Sequence, residues 1–147
     1  MIALGSDHGG YELKQHVIDY LNLKGIEFKD FGCYDTKSCD YPDMTIKPCE
    51  AVLKKECKLA LLFCGTGIGV SIAANKIKGI RAACCSDTFS AKFTRMHNDA
   101  NVLCLGGRVV GPGLALELVD MFLNTEFEGE RHKIRIEKIK AIEDLDY

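Results

Sequence analysis

Two textures alternate along the chain. Strand-like runs, Ile2 to Gly5, Ile26 to Phe31, Leu59 to Cys64, Ile80 to Cys85 and Asn101 to Leu105, are each short and are followed at once by Gly or Ser. Between them lie longer stretches whose apolar positions recur at helical spacing. Leu13, Val17, Ile18 and Leu21 mark a helix over Tyr11 to Lys24, stopped by Gly25. Further helices are predicted near Asp43 to Glu56, where Pro48 is an awkward interior residue, over VSIAANK, over Thr88 to Met96, and over Gly113 to Leu123 with Pro112 at its first turn. Strands alternating with helices predict a parallel sheet of βαβ units. From Glu130 onward Ile136, Ile139 and Ile142 share one face among many charges, which predicts an amphipathic helix added beyond the sheet.

The chain has 147 residues, 47% hydrophobic and 27% charged, the profile of one compact domain over 1–147. A formal net charge of −2 supplies no positive field for nucleic acid or acidic lipid, so neither is expected as a partner. The longest apolar runs, such as LALLFC, are too short to cross a bilayer, and no leader pattern opens the chain; a cytoplasmic location is expected. Eight cysteines without a C-x-x-C pair argue against a zinc ribbon or thioredoxin-type site, and most are expected to be reduced packing residues.

Ligands of open α/β sheets bind beyond the carboxyl ends of the strands, where three clusters fall: Ser6-Asp7-His8-Gly9-Gly10, Cys64-Gly65-Thr66-Gly67-Ile68-Gly69 and His97-Asn98-Asp99. The glycines after Cys64 allow main-chain N–H groups to form a nest for an oxyanion or phosphate. A thiol at its mouth gains thiolate character, which makes Cys64 a base or nucleophile candidate. A buried strand-end cysteine above a tight turn fits the spacing equally well. No lysine follows Gly69 as a P-loop requires, and no arginine closes the loop as a thiol phosphatase requires. A dinucleotide site at GSDHGG, with Asp30 as the ribose acid, stays open as an alternative, although the loop lacks G-x-G-x-x-G. Arg131 and Arg135, one helical turn apart, have the geometry to clamp a phosphate, but surface pairing with Glu128, Glu130 or Glu137 is the commoner arrangement. His97 alone reads equally as a helix-end residue, and His16 as surface.

Taken in order, GSDHGGYELK, DYPD at 40 to 43, FCGTGIGVSIAANKIKGIRAA, SAKFTRMHNDANVLCLGGRVVG and FEGERHKIRIEKI resemble the ribose-5-phosphate isomerase B family, related to the small-subunit isomerases of allose and galactose 6-phosphates. The resemblance implies a Rossmann-like three-layer α/β/α fold with a five-stranded parallel sheet and an extra C-terminal helix. It also implies a homodimer with active sites shared between subunits, with pairing into tetramers left open, and metal-free, cofactor-free interconversion of an aldose and a ketose phosphate. By resemblance, Cys64 is the base between C1 and C2. The amides of Gly65, Thr66, Gly67, Ile68 and Gly69, with Ser71, stabilise the enediolate. His97 opens the furanose ring, Asp7 and Thr66 handle hydroxyl protons, Tyr41 and Asn98 position the sugar, and His8, Arg108, Arg131 and Arg135 hold the phosphate. Ribose 5-phosphate is the default substrate, with a hexose phosphate as alternative. The family's other type places a glutamate base where Val70 stands, and this chain is the cysteine type.

Overall fold

Five parallel strands, β1 (Ile2–Ser6), β2 (Phe28–Asp30), β3 (Leu59–Cys64), β4 (Ala82–Cys84) and β5 (Val102–Gly106), form one sheet in the order β2-β1-β3-β5-β4. Six helices connect and extend it: α1 (Tyr11–Leu23), α2 (Tyr41–Leu53), α3 (Ile68–Ala74), α4 (Thr88–Asn98), α5 (Pro112–Asn124) and α6 (Glu130–Ile142). The computed structural model describes residues 1–145.

Period-two alternation divides the strand side chains between two cores. Leu59, Leu61 and Phe63 of β3 join Ile2, Leu4, Leu103 and Leu105 under α1, α4 and α5, where Leu13, Val17, Leu21, Ala91, Leu118 and Phe122 close over them. Ala60, Leu62 and Cys64 join Ala3, Val102 and Cys104 under α2 and α3, meeting Cys49, Val52, Val70 and Ala74. Covering both faces explains why β3 is apolar without a break, and each large side chain so buried contributes about 1.5 to 3 kcal/mol. The three-layer α/β/α architecture with a five-stranded parallel sheet is therefore the one expected.

Element boundaries differ where a distant group captures a backbone amide. Ile26 donates to the Leu21 carbonyl at 2.9 Å, closing α1 instead of lengthening β2. The Arg81 amide goes to Asn101 Oδ1 at 2.8 Å, and β4 starts only at Ala82. α2 begins at Tyr41, with Pro42 in its first turn; Pro48 lies inside it, packed so close to β1 that a Cβ on Gly5 would sit 2.7 Å from its Cγ. Lys14 of α1 is fully buried and donates to both Asp30 oxygens at 2.8 Å and to the Cys33 carbonyl at 2.5 Å, tying α1 to the end of β2.

α6 packs against α4 through the buried His132 and Ile136, while Ile139 and Ile142 remain exposed. Its far end is held by Lys78 to Asp144 and by the Gly79 N–H to Glu143 Oε1 at 2.9 Å. β1 leads through α1 to β2 on one side, whereas the next strand, β3, lies on the other side of β1. The strand order thus reverses between β1 and β3, the switch point at whose carboxyl ends open α/β sheets bind their ligands. Among the described residues no helix is long and apolar enough to cross a membrane.

Candidate active site

At the end of β1 the Asp7 amide continues the sheet by donating to the Phe63 carbonyl at 3.1 Å, and its Oδ1 accepts the Gly10 N–H at 3.0 Å. This small turn passes so close to β3 that a Cβ on Gly10 would lie 2.3 Å from the Phe63 carbonyl carbon. His8 Nδ1 accepts the Cys39 N–H at 3.3 Å, which leaves the proton of the neutral ring on Nε2.

β3 ends at Cys64, which is only 4% exposed. Its Sγ accepts the Gly67 N–H at 3.0 Å, an N–H aimed by the left-handed backbone of Gly67, φ 77°. The rest of the loop is locked internally: Ile68 N–H donates to Thr66 Oγ1 at 3.2 Å, and Ser71 Oγ donates to the Ile68 carbonyl at 2.9 Å. Of the five amides expected to face an enediolate, those of Gly67 and Ile68 are thus engaged within the loop. Arg108 reaches over from the turn after β5, donating its N–H to the Gly65 carbonyl at 3.0 Å, with Nη1 3.3 Å from where a Gly65 Cβ would stand. The Tyr41 ring, from the start of α2, lies 2.9 Å from the corresponding point on Gly69. Asp7, His8, Tyr41, Cys64 to Gly69, Ser71 and Arg108 are therefore assembled around the carboxyl ends of β1, β3 and β5.

His97, Asn98, Arg131 and Arg135 are not. α4 starts past the carboxyl end of β4, where Asp87 Oδ1 caps it by accepting the Ser90 N–H at 2.7 Å. It runs back about 16 Å, at 1.5 Å per residue over 11 residues, to the amino end of β5. Asp99 ends it in the left-handed region, φ 44°, with its carboxylate bridging Arg95 at 2.9 Å and Arg81 at 3.0 Å. His97 and Asn98, in that last turn, lie toward the amino ends of the strands, whereas Cys64 stands at a carboxyl end.

Long-range main-chain contacts build a second cluster there. The Glu128 N–H donates to the Met96 carbonyl at 3.1 Å, docking the link before α6 onto α4. His132, 4% exposed, stacks on His97 with ring centroids 4.1 Å apart and planes 10° from parallel. Glu128 Oε2 sits 3.3 Å from His132 Nε2 and 3.8 Å from His97 Nε2, and Arg135 Nη1 is 3.4 Å from His132 Nδ1. Burial first, then the charges of His97, Arg131 and Arg135, hold the His132 proton affinity below the ordinary value and outweigh Glu128. Surface pairing of Arg131 and Arg135 with glutamates does not occur among the described residues: Glu128 faces the two imidazoles and Glu137 pairs with Lys140 at 2.7 Å. Both guanidinium groups are exposed.

His97, Glu128 and His132 bring donor atoms within 4.8 Å of one another, the one set among the described residues able to surround a metal ion. Two features oppose a cation there. Arginine only donates, so its contact at His132 Nδ1 places the neutral ring's proton on Nε2, the nitrogen a metal would need, and Arg131 adds positive charge on the same turn. The dinucleotide alternative also loses its acid, because Lys14 and the Gly32 N–H occupy the Asp30 carboxylate.

All eight cysteines are free, and six are buried. Burial pushes the Cys49 thiol up to about 12 and Cys85 to about 11, and raises Cys57 and Cys104 as well, so these four are packing residues. Glu128 and His132 are the site residues that sequence reasoning missed. A signal existed in their one-turn spacing at the start of the last helix, but Glu128 reads there as a partner for arginine. Cys84 was also unplaced; its Sγ reaches the Thr66 carbonyl at 3.7 Å.

A cysteine beneath a glycine loop stands at the carboxyl ends of the strands where their order reverses, the place where enzymes built on open α/β sheets hold small substrates. The chain belongs to the ribose/galactose isomerase family, whose model matches residues 2–139. It is similar to the solved structure of Clostridium thermocellum ribose-5-phosphate isomerase B, with a TM-score of 0.95 and 53% identity over 97% of this chain and 96% of that one. Ribose-5-phosphate isomerase B of Escherichia coli is 46% identical over 142 residues, covering 97% of this chain and 95% of the relative. A D-erythrulose-4-phosphate isomerase of Pectobacterium atrosepticum is 43% identical over 140 residues, covering 94% and 91%.

Proposed function

We propose that this isomerase interconverts D-ribose 5-phosphate and D-ribulose 5-phosphate through an enediolate, in a homodimer whose sites draw on both subunits. The observation that carries the reading is the Cys64 sulfur, held at 3.0 Å by the Gly67 N–H at the base of the glycine loop, where the strand order reverses between β1 and β3. Moving a proton between neighbouring sugar carbons needs a base beside donors aimed at the developing oxyanion, and a main-chain loop locked by its own hydrogen bonds supplies preorganised donors.

In the aldose direction His97 takes the O1 hydroxyl proton as the C1–O4 bond breaks, and returns it to O4. The Cys64 thiolate then removes the C2 proton; the bonding pair forms the C1–C2 double bond and the carbonyl pair moves to O1. The proton goes from the thiol to C1, while Asp7 and Thr66 move the hydroxyl proton between O2 and O1. Ser71 supports the loop through the Ile68 carbonyl. His8, Arg108, Arg131 and Arg135 hold the phosphate, and Tyr41 and Asn98 orient the carbon chain. Remote phosphate binding supplies orientation at the reacting carbons.

Separation of His97, Asn98, Arg131 and Arg135 from Cys64 within one chain supports completion of each site by a second copy. Exposed apolar residues on the elements around the loop, Ile68 at 55%, Ile72 at 56%, Phe89 at 69% and Val109 at 58%, offer a surface for that copy. Wild-type kcat/KM for ribose 5-phosphate and for allose 6-phosphate tests the reading. Preference for the pentose is expected; preference for the hexose, or inactivity on both, overturns it.

A further inference from the structure

The ring-opening role of His97, on which this inference rests, leaves one carboxylate unexplained. Glu128 is not paired with either nearby arginine; its Oε2 lies between two imidazole Nε2 atoms, 3.8 Å from His97 and 3.3 Å from His132. The arrangement is held from both ends. The Glu128 amide is fixed to the Met96 carbonyl at 3.1 Å, beside His97 itself. His132 is buried against the face of His97, and its Nε2 has no well-aligned hydrogen-bond partner. Since Arg135 can only donate to His132 Nδ1, the neutral His132 ring carries its proton on Nε2, directed toward Glu128. Three groups thus face the carboxylate: a neutral imidazole that orients it, the His97 ring, and the positive charge of Arg135 behind His132.

We propose that Glu128 is a positioning residue for His97: it fixes the His97 ring through Nε2 and balances the charge that the ring acquires while it carries the sugar's hydroxyl proton. In the step written above, the O1 proton resides on His97 between cleavage of the C1–O4 bond and delivery to O4. For that interval the ring is an imidazolium stacked on a second imidazole and near two arginines, a poor place for a positive charge without Glu128. His132 completes the device by keeping the carboxylate on the Nε2 side, which directs Nδ1 to exchange with the substrate.

A partial reaction that does not touch the ring separates this role from a structural one. Ribose 5-phosphate is mostly a closed furanose, whereas ribulose 5-phosphate carries its phosphate on O5 and cannot close a furanose ring, so exchange of its C1 hydrogen with D2O runs through the enediolate alone. Net isomerisation of ribose 5-phosphate and this exchange are measured for wild type, His97→Asn, Glu128→Gln and Glu128→Asp. Glu128→Gln is expected to lower kcat on ribose 5-phosphate by about tenfold or more, a fraction of the 10² to 10⁴ typical of acid–base groups, with KM changed less than about threefold. Deuterium entry at C1 of ribulose 5-phosphate should stay within about twofold of wild type, and Glu128→Asp should recover part of the isomerisation loss. Equal losses of isomerisation and exchange, or a loss seen in KM alone, would show a folding or phosphate-binding role and overturn the proposal, as would an unchanged Glu128→Gln beside a His97→Asn that is slow only in isomerisation. If His97→Asn itself fails to separate isomerisation from exchange, the ring-opening reading falls, and the inference with it.

Discussion

The carboxyl end of the strands, which carries Cys64, and the region of His97 near their amino ends are built on different principles. The first is made of main chain. Gly10 and Gly106 allow backbones to pass where a Cβ would come within 2.3 Å and 2.6 Å of a neighbouring carbonyl carbon, and Gly67 turns its N–H onto the sulfur. The second is made of side chains from segments far apart in sequence, stacked and paired across the α4–α6 contact. A main-chain loop suits the stabilisation of an oxyanion, whose position varies little. Imidazoles and guanidinium groups suit proton exchange and phosphate capture, and they can be brought to a site from another subunit.

Four substitutions sharpen this contrast. Cys64→Ala should lower kcat on ribose 5-phosphate by about 10² to 10⁴ with KM nearly unchanged, because the base acts in chemistry and not in binding; steady-state kinetics checks it, and a rate near wild type removes the cysteine from the mechanism. Gly10→Ala should cost about 3 kcal/mol of stability, at the upper end for overpacking, since the Cβ 2.3 Å from the Phe63 carbonyl carbon meets rigid β3 backbone. Denaturant unfolding reads that loss. Arg131→Ala, in the side-chain cluster, should leave the fold intact and raise KM about tenfold with a smaller change in kcat, as loss of the proposed phosphate contact requires.

The smallest effect concerns pH. His132 binds its proton less readily folded than unfolded, where the ordinary value is 6.5. The unfolded chain therefore takes up more protons as pH falls through that value, and stability present above it is lost below. Wild type should lose more stability between pH 7.5 and 5.5 than His132→Gln, in paired denaturant titrations.

Legibility in the sequence follows the same division. The limits of β3, Leu59 to Cys64, are plain because both faces are buried and no polar residue interrupts the run. The glycine loop reads equally well, as its residues are consecutive. α4 reaches two residues past the expected Met96 because its stop is Asp99, held by Arg81, 18 residues earlier, and by Arg95. Asp30 looks like a ribose acid only until Lys14, 16 residues upstream, is found buried against it. Glu128 and His97 are 31 positions apart, and long-range contacts, the main-chain bond from Glu128 to Met96 and the His97–His132 stack, bring them together. Local periodicity carries none of these three pairings.

Co-expression of Cys64→Ala and His97→Asn under different tags, followed by isolation of the mixed dimer, tests the central claim most directly. Each homodimer should be nearly inert toward ribose 5-phosphate. The mixed dimer joins an intact loop from one subunit to an intact His97 from the other at one of its two sites, and should regain about half of wild-type activity. A mixed dimer as inert as its parents would contradict the account.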